Sequence, residues 1–501
     1  MKLKNRCSGI LLHISSLPSK DGIGCFNSEA FEFVDLLKRT KIKLWQILPL
    51  SKIGEGNSPY SSICTYAGNE LFISIEKLIE MKLLDEEDFK DFKSLSSTKV
   101  DYKMVSDYKL PLLNRAADNF IEMNLTESKE YRSFLLENEF WLESYALFTA
   151  VAESYNSVNF LEDWSDELAH KDEAALLKFK SNNSKRIEEI KIIQYFFYKQ
   201  WFELKAYANK NDVQIVGDVP IFVAKLSVET WSNPELFKTD AYGKMSFISG
   251  YPPDDDGKNG QVWGNPVYDW KKMEENDFNF QINRIQFLLK QNDWLRLDHF
   301  IGYYHYWEIP NNGEAKDGRW VEAKGRELFD ALKLKNSEIP IIVEDLGAIT
   351  PEIEALRDDN NFPGMRNFLF AFEFNDGRLN TKNAFLPNNY TEQCVAYTAT
   401  HDNEMLESWF ESKNDFEKDA ICKYMKSDRE HIASNCMKAI FKSKAKFVII
   451  PMQDYLHKTN ECRMNTPGTL NDSNWTYKME NFDEFKLQIE TIKELNIESN
   501  R

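Results

Sequence analysis

Short apolar runs bounded by polar residues recur along the chain, and patterns typical of helices lie between most of them. Polar and apolar residues alternate only weakly within the runs, which is typical of strands buried on both faces of a parallel sheet. The runs that we interpret as strands are Ile10–Ser15, Leu44–Leu50, Gln214–Val223, Trp294–Phe300, Pro340–Leu346, Asn367–Phe372, Val395–Thr400 and Lys446–Gln453. Eight such strands with intervening helices predict an α/β protein built on a (β/α)8 TIM barrel, and a doubly wound open sheet is the alternative.

Apolar spacing and capping residues predict where two of the helices lie. After the first predicted strand, the i, i+3, i+4, i+7 spacing defines one apolar helix face. That face consists of Ala30, Phe33, Val34 and Leu37. Another helix is predicted to begin at Thr350 and Pro351, because threonine caps helices well and proline fits the first helical position.

Uneven spacing between the predicted strands indicates insertions. Roughly 160 residues separate the second strand from the third, and a loop of that length without structure of its own is rare. Glu139–Ala152 and Ile187–Ala208 have helical patterns, and the segment after strand 3 is rich in glycine, proline, aspartate and tryptophan. We therefore predict inserted, mainly helical subdomains after strands 2 and 3. The predicted division is a discontinuous barrel of residues 1–50 and 212–501, an inserted helical subdomain of residues 51–211, and a smaller insertion of residues 224–293.

Composition excludes several classes of partner. Acidic residues outnumber basic ones, 80 against 62, which gives the 501-residue chain a net charge of −18. A field of that sign repels nucleic acid and anionic lipid, so neither is expected as a partner. Every apolar run is shorter than the roughly 18 residues that span a membrane, and the first residues lack the apolar stretch of a signal peptide.

The cysteines indicate the compartment. There are seven of them, an odd number, and none belongs to a C-x-x-C pair. This argues against a disulfide framework or a structural zinc site and favours a reducing environment. We therefore expect a cytoplasmic protein, and the sequence leaves its oligomeric state open.

Polar residues end almost every predicted strand, and catalytic side chains of (β/α)8 barrels come from the carboxyl ends of strands. These residues are Asp218, Arg296, Asp298, His299, Glu344, Asp345, Thr400, His401, Asp402, Asn403, Gln453 and Asp454. One carboxylate alone could cap a strand or form an internal salt bridge. Several carboxylates at one rim would destabilise the fold unless function required them. Such pairs suit glycosidic-bond chemistry, in which one carboxylate is the nucleophile or base and another protonates the leaving oxygen.

Aromatic residues in the segments predicted to lie above the barrel support a sugar substrate. The flat C–H faces of sugar rings stack on tryptophan and tyrosine, although burial under the insertions is the alternative for any one residue. Trp263 stands out because its neighbours, among them Gly260 and Gly264, are typical of a loop with little to pack against an indole. The aromatic residues in these segments are Tyr60, Trp231, Tyr251, Trp263, Tyr268, Trp270, Tyr303, Tyr304, Tyr306 and Trp307.

Metal and cofactor motifs are weak. The run Asp254–Gly257 resembles a calcium loop at first sight, but it lacks the required ligand spacing, so no metal is predicted. The histidines are scattered without zinc-ligand spacing, and there is no phosphate-binding loop or dinucleotide fingerprint.

Motifs spread over nearly the whole chain resemble one known family. They are Gly9–Pro18, Trp45–Leu50, Ser58–Ser61, Gly217–Val223, Pro252–Asp254, Gly260–Pro266, Arg296–Phe300, Tyr306–Pro310, Val343–Gly347, Pro363–Met365, Thr400–Asn403 and Arg463–Gly468. In this order they resemble the 4-α-glucanotransferases, also called amylomaltases or disproportionating enzymes, of glycoside hydrolase family 77. Each motif alone is modest, but the collinear set is highly specific.

The resemblance implies a retaining enzyme that moves α-1,4-glucan segments between malto-oligosaccharides without an organic cofactor. It implies that Asp298 is the nucleophile, Glu344 the general acid/base and Asp402 a third carboxylate that stabilises the transition state. The positions that it assigns to donor and acceptor binding are Tyr60, Asp218, Asp254, Trp263, Arg296 and His401. The smaller insertion then carries the substrate loops.

The sequence departs from the family pattern at three places, none of them a candidate catalytic carboxylate. Ile301 stands where arginine is common, Glu404-Met405 replaces Asp-Thr, and the segment around Trp475 lacks a Trp-Arg pairing. These departures concern acceptor preference and efficiency. Two alternative functions remain at this stage, an α-1,4-glucan hydrolase of the α-amylase kind and a non-catalytic glucan-binding protein.

Overall fold

A closed barrel of eight parallel strands forms the centre of the described chain. The computed structural model describes residues 5–89, 98–240, 242–253 and 258–501. In chain order the strands are β1 (Cys7–Leu11), β2 (Leu44–Gln46), β3 (Gln214–Val219), β4 (Phe247–Tyr251), β5 (Gln261–Pro266), β6 (Trp294–Leu297), β7 (His305–Pro310), β8 (Arg319–Glu322), β9 (Ile341–Val343), β10 (Gly364–Asn367), β11 (Phe374–Asn375), β12 (Arg378–Leu379), β13 (Cys394–Tyr397) and β14 (Phe447–Pro451).

The barrel closes in the order β1-β14-β13-β10-β9-β6-β3-β2, and every neighbouring pair is parallel. The first strand of the barrel therefore lies beside the last, with Cys7 opposite Phe447. Each barrel strand overlaps one of the predicted apolar runs, so the predicted (β/α)8 barrel is confirmed and the open sheet is excluded.

The α-helices of the described ranges are α1 (Ser28–Thr40), α2 (Ile75–Glu80), α3 (Glu86–Phe89), α4 (Tyr102–Glu122), α5 (Lys129–Tyr155), α6 (Asp166–Ala169), α7 (Glu173–Asn182), α8 (Ser184–Lys210), α9 (Val228–Ser232), α10 (Trp270–Glu275), α11 (Asn279–Gln291), α12 (Gly325–Lys335), α13 (Pro351–Asp359), α14 (Leu406–Glu411), α15 (Asp415–Met425), α16 (Ile432–Lys442), α17 (Met452–Tyr455) and α18 (Asp483–Ser499). The four apolar positions predicted for α1 are all buried, and α13 begins at Pro351 with Thr350 as its N-cap. Within these ranges, no helix is both long and apolar enough to cross a bilayer.

Most predicted strands are too long at their carboxyl ends. The run Asn367–Phe372 is wrong as a strand, because β10 ends at Asn367 and a 3-10 turn follows. The side chain of Asn367 accepts a hydrogen bond from the backbone N–H of Leu369, which turns the chain away from the barrel. Likewise, the end of Ile10–Ser15 forms a buried 3-10 turn. Residues after the strand ends are also apolar, because the segments at the barrel rim bury them. The apolar runs are therefore longer than the strands.

The two long segments between barrel strands differ in content. Helices α2 to α8 lie between β2 and β3, and the long helices α5 and α8 pack against each other. The segment between β3 and β6 holds α9, α10 and α11 but also two strands that the apolar pattern did not predict. These strands join β7 and β8 in an antiparallel sheet of order β5-β4-β7-β8. The division into domains at residues 51–211 and 224–293 stays a prediction.

Candidate active site

Three adjacent barrel strands bring candidate carboxylates to one rim. Asp218 lies in β3, Asp298 directly follows β6, and Glu344 directly follows β9, and these strands are neighbours in the barrel. Asp402 follows β13 on the same carboxyl side of the barrel. Because parallel strands present their carboxyl ends at the same face, the barrel positions all four side chains around one opening.

A buried arginine connects two of these carboxylates. Arg296, which is only 3% exposed, lies opposite Asp218 in the β3–β6 register. Its Nη1 lies 2.8 Å from both oxygens of Asp218 and 2.8 Å from Oδ1 of Asp298. Burial raises the pKa of Asp218, and the guanidinium opposes that rise. The buried guanidinium of Arg296 therefore orients Asp298, while the Asp298 side chain stays 27% exposed.

Glu344 is held by the backbone beside Asp298. His299 has a left-handed conformation, with φ of 47°, so the chain turns sharply after Asp298. The N–H of His299 donates to Oε2 of Glu344 at 2.7 Å. Burial, and next the charge of Asp298, raise the pKa of Glu344 well above its usual value. The site thus favours a protonated Glu344 and leaves its second oxygen, Oε1, to carry the proton.

Asp402 is positioned by a segment that precedes the last helix. Its Oδ1 accepts a hydrogen bond from Nδ2 of Asn465 at 2.6 Å, and its backbone carbonyl accepts one from Nη2 of Arg463 at 2.6 Å. Its Oδ2 lies 3.3 Å from Nε2 of His401. The motif Arg463–Gly468, which the sequence assigned only by resemblance, therefore fixes the orientation of the third carboxylate.

An aromatic wall links Asp402 to Asp218. The hydroxyl of Tyr60 donates to Oδ2 of Asp218 at 2.8 Å. The Tyr60 ring stacks on the imidazole of His401, with centroids 5.2 Å apart and planes 10° apart. Trp475 closes the group, 5.8 Å from the ring of Tyr60. Tyr60 and the buried His401, both predicted to bind substrate, thus pack against each other beside the carboxylates.

Trp263 lies on the opposite side of the opening. Its indole meets the His299 ring edge-on, with centroids 4.7 Å apart, and remains 37% exposed. Its Nε1–H donates to the side chain of Gln261 at 2.9 Å. The segment that we interpreted as a loop is in fact strand β5, bounded by Gly260 and interrupted by Gly264, both with positive φ. The indole is exposed at the rim and is not part of the core.

The structure connects the predicted site residues by direct contacts. The path runs through Asp402, His401, Tyr60, Asp218, Arg296, Asp298, His299, Glu344 and, from His299, Trp263. Asp254 lies outside the described residues. Sequence reasoning gave no role to His299 or Asn465, because a backbone N–H and a distant amide leave no spacing signal.

Comparison with known proteins finds similarity over nearly the whole chain. Residues 12–484 match the family described as 4-alpha-glucanotransferase, glycoside hydrolase family 77. The 4-alpha-glucanotransferases of Streptococcus pneumoniae serotype 4 and Aquifex aeolicus are each 39% identical, over 95% and 98% of this chain and 94% and 98% of their own length. The structure of amylomaltase from Streptococcus agalactiae in complex with acarbose superposes with a TM-score of 0.94 at 38% identity and covers 99% of both chains.

Proposed function

We propose a mechanism for this chain on the premise that it belongs to the 4-alpha-glucanotransferase family, glycoside hydrolase family 77. This membership confirms the resemblance inferred from the motifs. The chain is an enzyme that transfers α-1,4-glucan segments from a donor maltodextrin to the 4-hydroxyl of another glucan or of glucose. The observation that carries the mechanism is the placement of Glu344 against the backbone of His299, directly beside Asp298.

The first step forms a covalent glycosyl-enzyme. The carboxylate of Asp298 attacks the anomeric carbon, and the bond from that carbon to the leaving oxygen breaks with its electron pair on the oxygen. Glu344 gives its proton to this oxygen, which leaves as the 4-hydroxyl of the shortened glucan. The raised pKa of Glu344 supports this role, because a proton donor must still be protonated near neutral pH.

The second step is the reverse of the first, with an acceptor glucan in place of the leaving glucan. Glu344, now ionised, removes the proton from the 4-hydroxyl of an acceptor glucan, and the oxygen attacks the anomeric carbon. Asp298 leaves as a carboxylate. Two displacements at one carbon retain its configuration, which is the outcome expected for a carboxylate nucleophile paired with a carboxylic acid.

The remaining rim residues are proposed to hold the sugar that reacts. Asp402, fixed by Asn465, accepts hydrogen bonds from sugar hydroxyls that strengthen in the transition state. Arg296 orients Asp298, while Tyr60, together with the His401 ring that packs against it, is proposed to line the place of the reacting sugar. Asp218 anchors Arg296 and Tyr60. Asp254 is assigned to substrate binding by the family resemblance alone.

Transfer rather than hydrolysis requires that a sugar outcompete water at the glycosyl-enzyme. Trp263 is exposed beside His299, within reach of an acceptor on the Glu344 side. We assign it to acceptor binding, because an acceptor stacked on the indole raises its local concentration and displaces water.

The cytoplasm is the proposed compartment, and its support is chemical. All seven cysteines are free thiols, which suits a reducing environment. The substrates proposed are malto-oligosaccharides and longer α-1,4-glucans, whose neutral charge suits a chain of net charge −18.

Incubation with maltotriose tests the proposed reaction. A transferase should give a ladder of shorter and longer products while the concentration of reducing ends stays constant, since each bond broken is replaced. Asp298→Ala should abolish both product series, by about a thousand-fold or more, because loss of a covalent nucleophile removes several kcal/mol of barrier lowering. Reducing ends that rise in step with cleavage would instead identify a hydrolase.

A further inference from the structure

A second exposed indole lies on the same sheet as Trp263. Trp320 is part of β8, at the edge of the sheet β5-β4-β7-β8, and is 39% exposed. Its ring lies 4.2 Å from the His305 ring and 5.2 Å from the Trp307 ring. Trp307 lies opposite Trp320 in the β7–β8 register, is partly buried, and donates its Nε1–H to the carbonyl of Ala315. Trp320 packs edge-on against the Trp307 ring and still exposes more than a third of its surface.

Tyr251 connects the two indoles. Its ring stacks on Trp263, with centroids 6.5 Å apart and planes 26° apart, and meets Trp320 edge-on at 6.2 Å. The hydroxyl of Tyr251 accepts a hydrogen bond from the N–H of Ala348 at 3.2 Å, in the segment that follows Glu344. We call Trp263, Tyr251 and Trp320 the aromatic row. It begins at His299, beside the acid/base, and leads outward along the sheet.

The position of Glu344 indicates that the aromatic row lies on the acceptor side of the cleft. Glu344 must reach the oxygen of the bond that is made or broken, so the acceptor lies on its side of the cleft. The other aromatic wall, Tyr60 with His401, lies on the side of Asp218 and Asp402. A glucan whose 4-hydroxyl points at Glu344 extends away from Asp298, along the aromatic row.

We propose that Trp320, supported by Tyr251, is a distal acceptor subsite that stacks on an α-1,4-glucan sugar beyond the one whose hydroxyl reacts. The inference rests on the proposed function and adds to it a residue that sets acceptor length. Glucose reaches only Trp263, whereas maltotriose also covers Trp320. Exposed aromatic rings at this spacing suit successive sugars of one chain, because each ring offers an apolar face to the C–H face of a sugar.

The test compares two acceptors on one donor. α-Maltotriosyl fluoride serves as donor, because its fluoride leaving group does not occupy the acceptor side. Labelled glucose or labelled maltotriose is the acceptor, and elongation of the label is measured. For Trp320→Ala we expect the KM for maltotriose to rise about five-fold, the worth of one aromatic stacking contact, while the KM for glucose and kcat stay unchanged.

Tyr155→Ala is the matched control, because Tyr155 is 38% exposed and ends α5 in the helical insertion. It should change neither KM. Melting curves of all variants separate folding from binding, and Trp320→Phe, which keeps a smaller ring, should show a smaller loss on maltotriose alone. Equal losses on both acceptors, or no loss on maltotriose with the fold intact, overturn the subsite. Failure of the wild-type chain to elongate either acceptor would overturn the proposed function instead.

Discussion

At the scale of single residues, two consecutive carboxyl groups have opposite surroundings. Asp345 is buried and accepts hydrogen bonds from the Arg357 guanidinium and the Met365 N–H, both at 2.6 Å. Glu344 has one backbone donor and a raised pKa. Adjacent side chains at a strand end point to opposite sides, so these two neighbours differ in role. The Asp345 carboxylate stabilises the fold, whereas Glu344 offers a proton for chemistry.

Glu344→Gln and Asp345→Asn should therefore fail in different ways. Glu344→Gln should lower glucan transfer about 100- to 10,000-fold, the usual worth of a general acid, with little change in melting temperature. Asp345→Asn should lower the free energy of unfolding by about 3 kcal/mol, because Arg357 and Arg366 lose the buried carboxylate that they share and Arg357 keeps only the exposed Asp358. Transfer rates and urea unfolding of both variants decide the assignment, and a Glu344→Gln protein that is mainly unstable would contradict it.

The pH dependence of donor cleavage should follow the proton on Glu344. Since its pKa is raised, the protonated form persists to higher pH than in a free glutamic acid, and kcat/KM for a glucan donor should fall as pH rises through that pKa. With α-maltotriosyl fluoride this alkaline fall should be absent, because fluoride leaves without a proton. Parallel pH profiles with the two donors provide the measurement. An alkaline fall of equal size with fluoride would assign the acid role elsewhere.

Trp263→Ala should change the fate of the glycosyl-enzyme more than the stability of the fold. Burial would predict a loss of about 3–5 kcal/mol, but the indole is exposed at the rim. We expect an almost unchanged melting curve and a larger ratio of glucose equivalents released to glucan transferred. Val262→Ala is the control, since Val262 is the exposed neighbour whose side chain points to the other face of β5. A large fall in melting temperature with an unchanged ratio would place Trp263 in the core.

At the scale of elements, the pattern of apolar residues predicted the strands and helices that are buried in the core. The barrel strands were predictable because they are short continuous apolar runs, and α1 was predictable because its apolar positions recur at the helix period. Strands β4 and β5 were not, since Gly260, Gly264 and a register shift between Ile248 and Gly250 interrupt the pattern. The rim carboxylates were predictable from their place after strands. The N–H of His299 that holds Glu344 was not, because every non-proline residue carries the same backbone group.

A buried ion pair joins the barrel to the inserted helices. Nζ of Lys109, on α4, lies 2.8 Å from Oδ2 of Asp21 and donates to the carbonyl of Leu71 at 2.9 Å. Asp21 belongs to the segment between β1 and α1, and neither side chain is open to solvent. The pair therefore fixes how the first inserted helices sit on the barrel.

Lys109→Met should lower the free energy of unfolding by about 3–5 kcal/mol, because the charge of Asp21 stays buried without its partner. Adding Asp21→Asn should recover part of this loss, since no unpaired charge then remains. Lys103→Met on the same helix, where the side chain is exposed, is the control and should leave the urea midpoint unchanged. Equal midpoints for Lys103→Met and Lys109→Met would show that the buried pair contributes nothing.

At the scale of the whole molecule, the site depends on chain segments that are far apart in sequence. Tyr60 comes from the segment after β2, Asp298 from the middle of the chain, and Asn465 from the segment after the last barrel strand. The proposed acceptor residues belong to a sheet outside the barrel, whereas the residues proposed to hold the reacting sugar belong to the barrel rim. Changes in acceptor preference can therefore arise in β5 or β8 without disturbing the carboxylates.

The pairing of β1 with β14 has a consequence for biosynthesis. β1 pairs with β2 at one edge and with β14 at the other. Because Cys7 lies opposite Phe447, this second edge has no partner until nearly all of the barrel has been translated. At about 5–20 residues per second, that interval is on the order of a minute. An open, apolar strand edge is a template for aggregation. We therefore expect the nascent chain to need chaperone protection until the ribosome has released β14, and closure of the barrel to be a late event in folding.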